Sequence, residues 1–469
     1  MKDPIVPVAV ADAVLSQCFG RPRGYSELKR LCDTVGGRTS GLESGRLAEE
    51  WGFDLFHQWG LDAVWFESFG LVAWRRGTLT AEALSPVAWR LTALAHGNAP
   101  ERGRAEGPVC DVGHGEREQF QAAADRVRGA VALCDEGASD GKRHLHRTEK
   151  LKMAVEFGAA ALMILSSAPG GLTRTGVCHE DASPIPSLGI SQEDGERLRR
   201  LIAGGQNPAV RIEMENARVS STARNVLAEI RGSDRSDEIV LAGAHLDSWD
   251  VAQGATDNGL GAAIVLEMAR VLASLPVRPR RTIRFALWAA EEVGLLGAWE
   301  YVRRHEAELA DHAAVMNYDM TGDPYGYSNP RAKGAPAPDV LARLADQLAP
   351  LGMRAEFPGG AYLHSDHQPF MLSGVPVLAL AASLPNDAGR YYHSVGDTFE
   401  KVSLPAFCRA AAVGAHTLWA LADSAAAPLP RNDAEGVRRL IDEADLAEAL
   451  VAEGYDGPPM HVEIGTRGG

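Results

Sequence analysis

No run of about 18 apolar residues occurs in the 469-residue sequence, so a membrane-spanning helix is not expected. Cysteine is scarce. The six residues Cys18, Cys32, Cys110, Cys134, Cys178 and Cys408 are scattered, without a Cys-x-x-Cys pair. That excludes a disulfide scaffold and predicts free, buried thiols. Basic charge is in deficit. Against 62 Asp and Glu stand 47 Lys and Arg, a formal net charge of −15. Nucleic acid and anionic membranes both need a basic face, so neither is expected as the main partner. The N-terminus reads as a poor signal peptide. Pro4, Pro7 and Asp12 interrupt the weakly apolar stretch to Leu15, and no small-residue cleavage site follows. A cytoplasmic location is therefore expected, with a secreted or periplasmic one as the alternative. What remains is ordinary globular composition, 45% hydrophobic and 23% charged, in a chain long enough for two or three domains and a large core.

Apolar spacing predicts two helices within residues 25–62, joined by the turn-rich run Gly36-Gly37-Arg38-Thr39-Ser40-Gly41. Residues 76–215 change character. Short strands at 131–134, 160–165 and 185–190, with helices at 150–158 and 193–203, read as a separate α+β unit. From 222 onward strands alternate with helices. Strands are predicted at 238–244, 282–289, 313–318 and 375–381, and helices at 259–275, 294–309, 338–348 and 404–422. This alternation predicts an α/β sandwich with a mostly parallel central sheet. Residues 425–469 differ again. They are acidic, with one amphipathic helix around 436–452, and nine acidic residues against four basic.

In such sheets, ligands bind at the carboxyl ends of the strands. There the sequence places His245-Leu246-Asp247, Asp257, Glu291-Glu292, Asp319 and His393. Each fragment alone has an ordinary reading as a cap, a turn or a solvated helix start. Their recurrence at one sheet edge points to metal. Two histidines and several carboxylates suit zinc, and two zinc ions need a bridging carboxylate, here Asp257. One ion would take His245 and Asp319 in addition, the other Glu292 and His393. Asp247 is expected to accept the second ring N–H of His245. Glu291, beside a ligand but not one itself, is expected to be the general base.

These motifs carry a resemblance. The run His245-Leu246-Asp247-Ser248-Trp249-Asp250-Val251 through Asp257-Asn258-Gly259, then Trp288-x-Ala290-Glu291-Glu292, then His393-Ser394-x-Gly396-Asp397-Thr398, resembles the co-catalytic zinc exopeptidases. That family includes bacterial zinc aminopeptidases and glutamate carboxypeptidases. Leu31-Cys32-Asp33-Thr34, with Arg38, Ser40 and Gly41, is similar to its N-terminal helix and loop. The resemblance implies a three-layer α/β/α sandwich with a mixed, mostly parallel sheet, plus an inserted α+β protease-associated domain. Residues 20–75 and 216–424 would form the peptidase, 76–215 the insert, and 425–469 an acidic tail outside it. The resemblance assigns the same five ligands and the same base, and implies a cis bond at Asp257-Asn258. It also implies that Ser365 and Asp366 lie near the substrate, while His364 and His367 are read as non-ligands. One departure is the absence of glutamate or serine directly before Asp319, where Tyr318 stands. The Tyr392 hydroxyl has two readings, an oxyanion donor or a packing residue. Arg390 likewise has two, a clamp for a substrate carboxylate or a surface arginine.

The expected function is a metallo-exopeptidase with two Zn2+ per chain. It would hydrolyse dipeptides or short peptides through a metal-bridging hydroxide, as a carboxypeptidase or dipeptidase. The alternatives are a zinc aminopeptidase of the same family and a non-catalytic, receptor-like binding protein. The expected partner is a peptide substrate, and a homodimer is compatible with the sequence.

Overall fold

The computed structural model describes residues 4–455. Its spine is one mixed sheet of thirteen strands that runs through both units of the chain. Four parallel strands form the catalytic half: Arg235–His245, Arg281–Trp288, His312–Asn317 and Val377–Ser383. Every residue of Arg281–Trp288 is buried, as expected for a strand covered on both faces. One face packs against helices Val8–Gly20, Leu260–Ala273 and Leu404–Asp423. The other packs against helices Leu296–Arg304 and His367–Leu372. The result is the expected three-layer α/β/α sandwich. Helix Leu260–Ala273 is apolar nearly all round, which suits its place inside the layer. Helix Leu404–Asp423 starts where the Ser403 hydroxyl accepts the Ala406 N–H.

The second unit hangs on a long antiparallel ribbon, Ala63–Ser85 against Ala209–Ile230. At one end Val226–Ile230 pairs with Ile283–Leu287, and at the other Ala209–Glu215 pairs with Arg102–Pro108. Beyond it lie parallel strands Val131–Asp135, Ala161–Leu165 and Ser187–Ile190, with helices Arg147–Glu156 and Gln192–Ala203. The alternation of the ribbon's exposed and buried positions is too irregular to announce strands of this length.

Two segments depart from expectation. Residues 8–20 form a helix whose Val10, Val14 and Cys18 enter the core. Pro7 does not interrupt it. It stands at the helix start, where a missing N–H costs nothing. The segment read as a tail outside the sandwich packs onto it as far as it is described. The single predicted helix is two, Ala434–Glu443 and Ala447–Ala452, broken where Asp445 turns left-handed. Val437, Leu440, Ile441, Leu446, Ala449 and Leu450 are buried. The Arg431 guanidinium donates to the carbonyls of Leu309 and His312. All six cysteines are free and buried. Among the described residues, no helix is long and apolar enough to cross a membrane.

Candidate active site

The carboxyl ends of the parallel strands bring the predicted residues together. His245 ends its strand, Glu291 and Glu292 follow Trp288, Asp319 follows Asn317, and His393 closes the loop after Ser383. Asp257 lies at the foot of helix Leu260–Ala273, and its bond to Asn258 is cis.

Asp257 occupies the centre. Its Oδ1 is 3.2 Å from His245 Nε2, and its Oδ2 is 3.1 Å from His393 Nε2. His245 Nε2 also faces Asp319 Oδ1 at 3.4 Å and Glu291 Oε2 at 4.0 Å. His393 Nε2 faces Glu292 Oε2 at 2.9 Å. Two triads result, His245–Glu291–Asp319 and Asp257–Glu292–His393, each with ligand atoms within 4.8 Å of one another. Glu291 thus stands in the first triad beside its neighbours' ligand atoms.

The charge pattern is that of a cation site. Burial alone would lower the histidine pKa values. The carboxylates outweigh it, holding His393 up at about 9 and His245 well above its usual range. Burial pushes Glu292 up to about 7. It pushes Glu291 well above the carboxylate range, with Asp319 and Asp366 adding to the effect. His245 Nε2 and Glu292 Oε1 are buried without a hydrogen-bond partner among the described residues. Buried polar atoms are rarely left so. The donor set, imidazole nitrogen and carboxylate oxygen, fits zinc.

The supporting residues differ in part from expectation. The carbonyl of Asp247, not its carboxylate, takes His245 Nδ1, at 3.1 Å against 3.6 Å. The carboxylate instead accepts the backbone N–H groups of Glu291 and Glu292 at 3.2 and 3.3 Å, fixing that turn. Ser365 lines a cavity, but its hydroxyl donates to Asp319 Oδ2 at 2.6 Å and accepts from Asn317. Asp366 is 1% exposed, and burial pushes its carboxyl well up. Arg390 is exposed, donates to the Pro169 carbonyl and lines neither cavity of the site. Tyr392 stacks on His393, centroids 3.7 Å apart, and lines both cavities. His367 binds the Tyr362 carbonyl, and His364 pairs with Glu453.

Three residues assigned no role in the sequence matter here. Asp397 accepts the N–H groups of Thr256 and Asp257 at 2.7 and 3.0 Å. Its place in the His393 motif was the available signal. Thr175, in the inserted unit, donates its N–H to the His393 carbonyl and accepts from His393 Nδ1. Backbone contacts of that kind leave no trace in sequence. Arg147, also in the inserted unit, points along Gly176, where any side chain would collide with the guanidinium. Its one described hydrogen bond is Nε to the Val177 carbonyl at 3.4 Å, and among the described residues no carboxylate pairs with it.

Non-glycine residues in left-handed backbone cluster around the site: Ala290, Met320, His364 and His393. Such conformations are uncommon and persist where the surroundings enforce them. Two cavities meet at Glu291, Tyr392 and His393. One, of about 480 Å³, holds Asp257, Asp319 and Ser365. The other, of about 350 Å³, holds Glu292, Arg147 and a largely apolar wall.

Residues 225–418 match the model of peptidase family M28, and residues 102–198 match the PA domain. Human carboxypeptidase Q is 32% identical over 431 residues, 88% of this chain and 89% of the relative. A peptidase M28 precursor from Shewanella amazonensis has a structure matching 90% of this chain and 98% of its own, with a TM-score of 0.80 at 30% identity. A zinc aminopeptidase from Bacillus subtilis matches 86% of this chain and 96% of its own, with a TM-score of 0.66 at 25% identity. The chain belongs to peptidase family M28, as a metallo-exopeptidase with an inserted PA domain.

Proposed function

We propose that the protein is a di-zinc dipeptidase of the carboxypeptidase type. The observation that carries this is Asp257, whose two oxygens face two different histidines. His245 and Asp319 would hold one zinc, Glu292 and His393 the other, and Asp257 both. Bound there, zinc supplies a Lewis acid for the scissile carbonyl and makes water a stronger acid.

The chain's own residues do the rest. Glu291 lies where the two cavities meet. It takes a proton from the attacking water as the oxygen bonds to the carbonyl carbon. As the C–N bond breaks, it returns that proton to the leaving nitrogen. The Tyr392 hydroxyl donates to the developing oxyanion. Asp247 and Asp397 act through others, fixing the backbone of Glu291–Glu292 and of Asp257. A free dipeptide carries one charge of each sign. Arg147 supports a carboxylate end in the smaller cavity, as a guanidinium without a carboxylate partner among the described residues. The acidic larger cavity suits the amine end.

A zinc aminopeptidase is the second reading, favoured by that same acidic cavity. It would not need Arg147. Hydrolysis of a dipeptide library with and without chelator, alongside metal analysis, tests the proposal. Two zinc ions per chain and chelator-sensitive cleavage are expected. A single ion per fully active chain, or none, contradicts it.

A further inference from the structure

The smaller cavity has a wall that sequence similarity to a peptidase core does not explain. Ala452, Glu453, Gly454 and Tyr455 close it from the C-terminal segment. Val293 and Trp299 of the catalytic unit, and Val177 and Arg147 of the inserted unit, line it as well. Three parts of the chain therefore enclose a single space that opens onto Glu291, Glu292 and His393.

The wall is held firmly. Glu453 accepts from Gln368 Nε2 at 2.7 Å and pairs with His364 Nδ1 at 3.0 Å. The His364 ring in turn stacks on His146 of the inserted unit, centroids 4.3 Å apart. Tyr455 stacks on Trp299 at 5.8 Å, with 25° between the rings. Behind them Ala449 and Leu450 are buried in the core. A wall pinned to both units has a fixed position, and a pocket with a fixed wall discriminates by shape.

We infer that residues 447–455 form the outer wall of the pocket for the substrate's C-terminal side chain, and that the enzyme selects dipeptides ending in a large apolar residue. This rests on the reading above, in which the substrate carboxylate meets Arg147. With the carboxylate there, the adjoining side chain faces Val177, Val293, Trp299, Ala452 and Tyr455. These are apolar or aromatic surfaces, which reward an apolar side chain by the area removed from water. The cavity, of about 350 Å³, suits one large residue.

The test uses the zinc-loaded full chain carrying Glu291→Gln, so that binding is read without turnover. Calorimetric titration compares glycyl-phenylalanine with glycyl-alanine. The phenylalanine ligand is expected to bind about ten- to thirtyfold tighter, from the extra apolar area it buries. Adding Ala452→Leu fills the pocket, and adding Tyr455→Ala removes the stacked wall. Each is expected to cut that preference severalfold, while both ligands still bind. Melting temperatures near the parent's show that the variants fold. A preference that stays the same in both folded variants, or a parent that binds both ligands without preference, overturns the wall. A parent that binds neither free dipeptide but binds their C-terminal amides overturns the carboxylate reading itself, and the wall with it.

Discussion

The ring of His393 reaches out of the catalytic unit to the carbonyl of Thr175 in the inserted unit, with Nδ1 3.3 Å from the oxygen. The Thr175 N–H returns a bond to the His393 carbonyl at 2.9 Å. A residue of the candidate metal site is thus oriented by a domain outside the sandwich. The hydrogen bond to the second ring nitrogen sets which nitrogen faces the metal.

Trp249 fastens that arrangement. Although it belongs to the His245 motif, it is buried in the core of the inserted unit, against Trp74 and hard against Gly97. Trp249→Ala is expected to lower stability by about 3–5 kcal/mol, the usual cost of removing a buried tryptophan. Activity should fall further than unfolding explains, because Thr175 loses its register with His393. Chemical denaturation with kcat/KM measured on the folded fraction checks this. Unchanged kcat/KM would place the inserted unit outside catalysis.

Glu291→Gln keeps the shape of the side chain and removes its basicity. Turnover is expected to fall by about 10²- to 10⁴-fold, the range of general-base contributions. Zinc content should stay the same. Loss of metal along with turnover would make Glu291 a ligand instead.

Arg147→Ala is expected to raise KM for a free dipeptide by about 10- to 100-fold, given the strength of charge-assisted hydrogen bonds. The effect should be small for the corresponding C-terminal amide. Equal effects on both substrates would remove the carboxylate role. Arg390→Ala, exposed and bound to Pro169, is expected to change neither.

Chelation is expected to lower the melting temperature, because a ligand that binds only the folded chain stabilises it. The effect is about 2.7 kcal/mol at a hundred times its dissociation constant. Without cations, the carboxylates of Asp257, Glu291, Glu292 and Asp319 crowd together. Scanning calorimetry of apo and zinc-restored protein reads the difference, and coincident transitions would argue against a metal-filled cluster.

Away from the site, His312 makes stability depend on pH. Burial lowers its pKa to about 3, and its ring binds the Tyr301 hydroxyl and the Glu308 carbonyl. Unfolded, it takes a proton near pH 6.5. Between pH 6.5 and 3 the unfolded chain therefore binds more protons at this position. Its contribution is full above pH 6.5 and is lost as pH falls toward 3. His312→Gln should flatten the acid side of the stability profile, as urea midpoints from pH 7 to 4 would reveal. An unchanged slope would assign the acid sensitivity to other groups.

Much of this was legible in the sequence, for an identifiable reason. Strands such as Arg281–Trp288 are short, apolar runs, and their ends carry residues with no packing role, so His245, Asp257, Glu291, Glu292, Asp319 and His393 stood out as chemistry. The ribbon from Ala63 to Ser85 did not stand out, because its exposed and buried positions do not follow a simple alternation. Arg147 and Thr175 were hidden for another reason. They reach the site only through the docking of the inserted unit, and nothing near them in sequence marks it. The helix at 8–20 was obscured by Pro4 and Pro7, which look like breaks and serve as its approach and start.

The most direct measurement is hydrolysis of glycyl-phenylalanine by the zinc-loaded protein, beside its N-acetylated and C-amidated forms. Rapid cleavage of the free dipeptide and slow cleavage of both blocked forms are expected, all abolished by chelator and restored by zinc. Rapid cleavage of the amide, or cleavage that persists after the metal is removed, would contradict the proposed function.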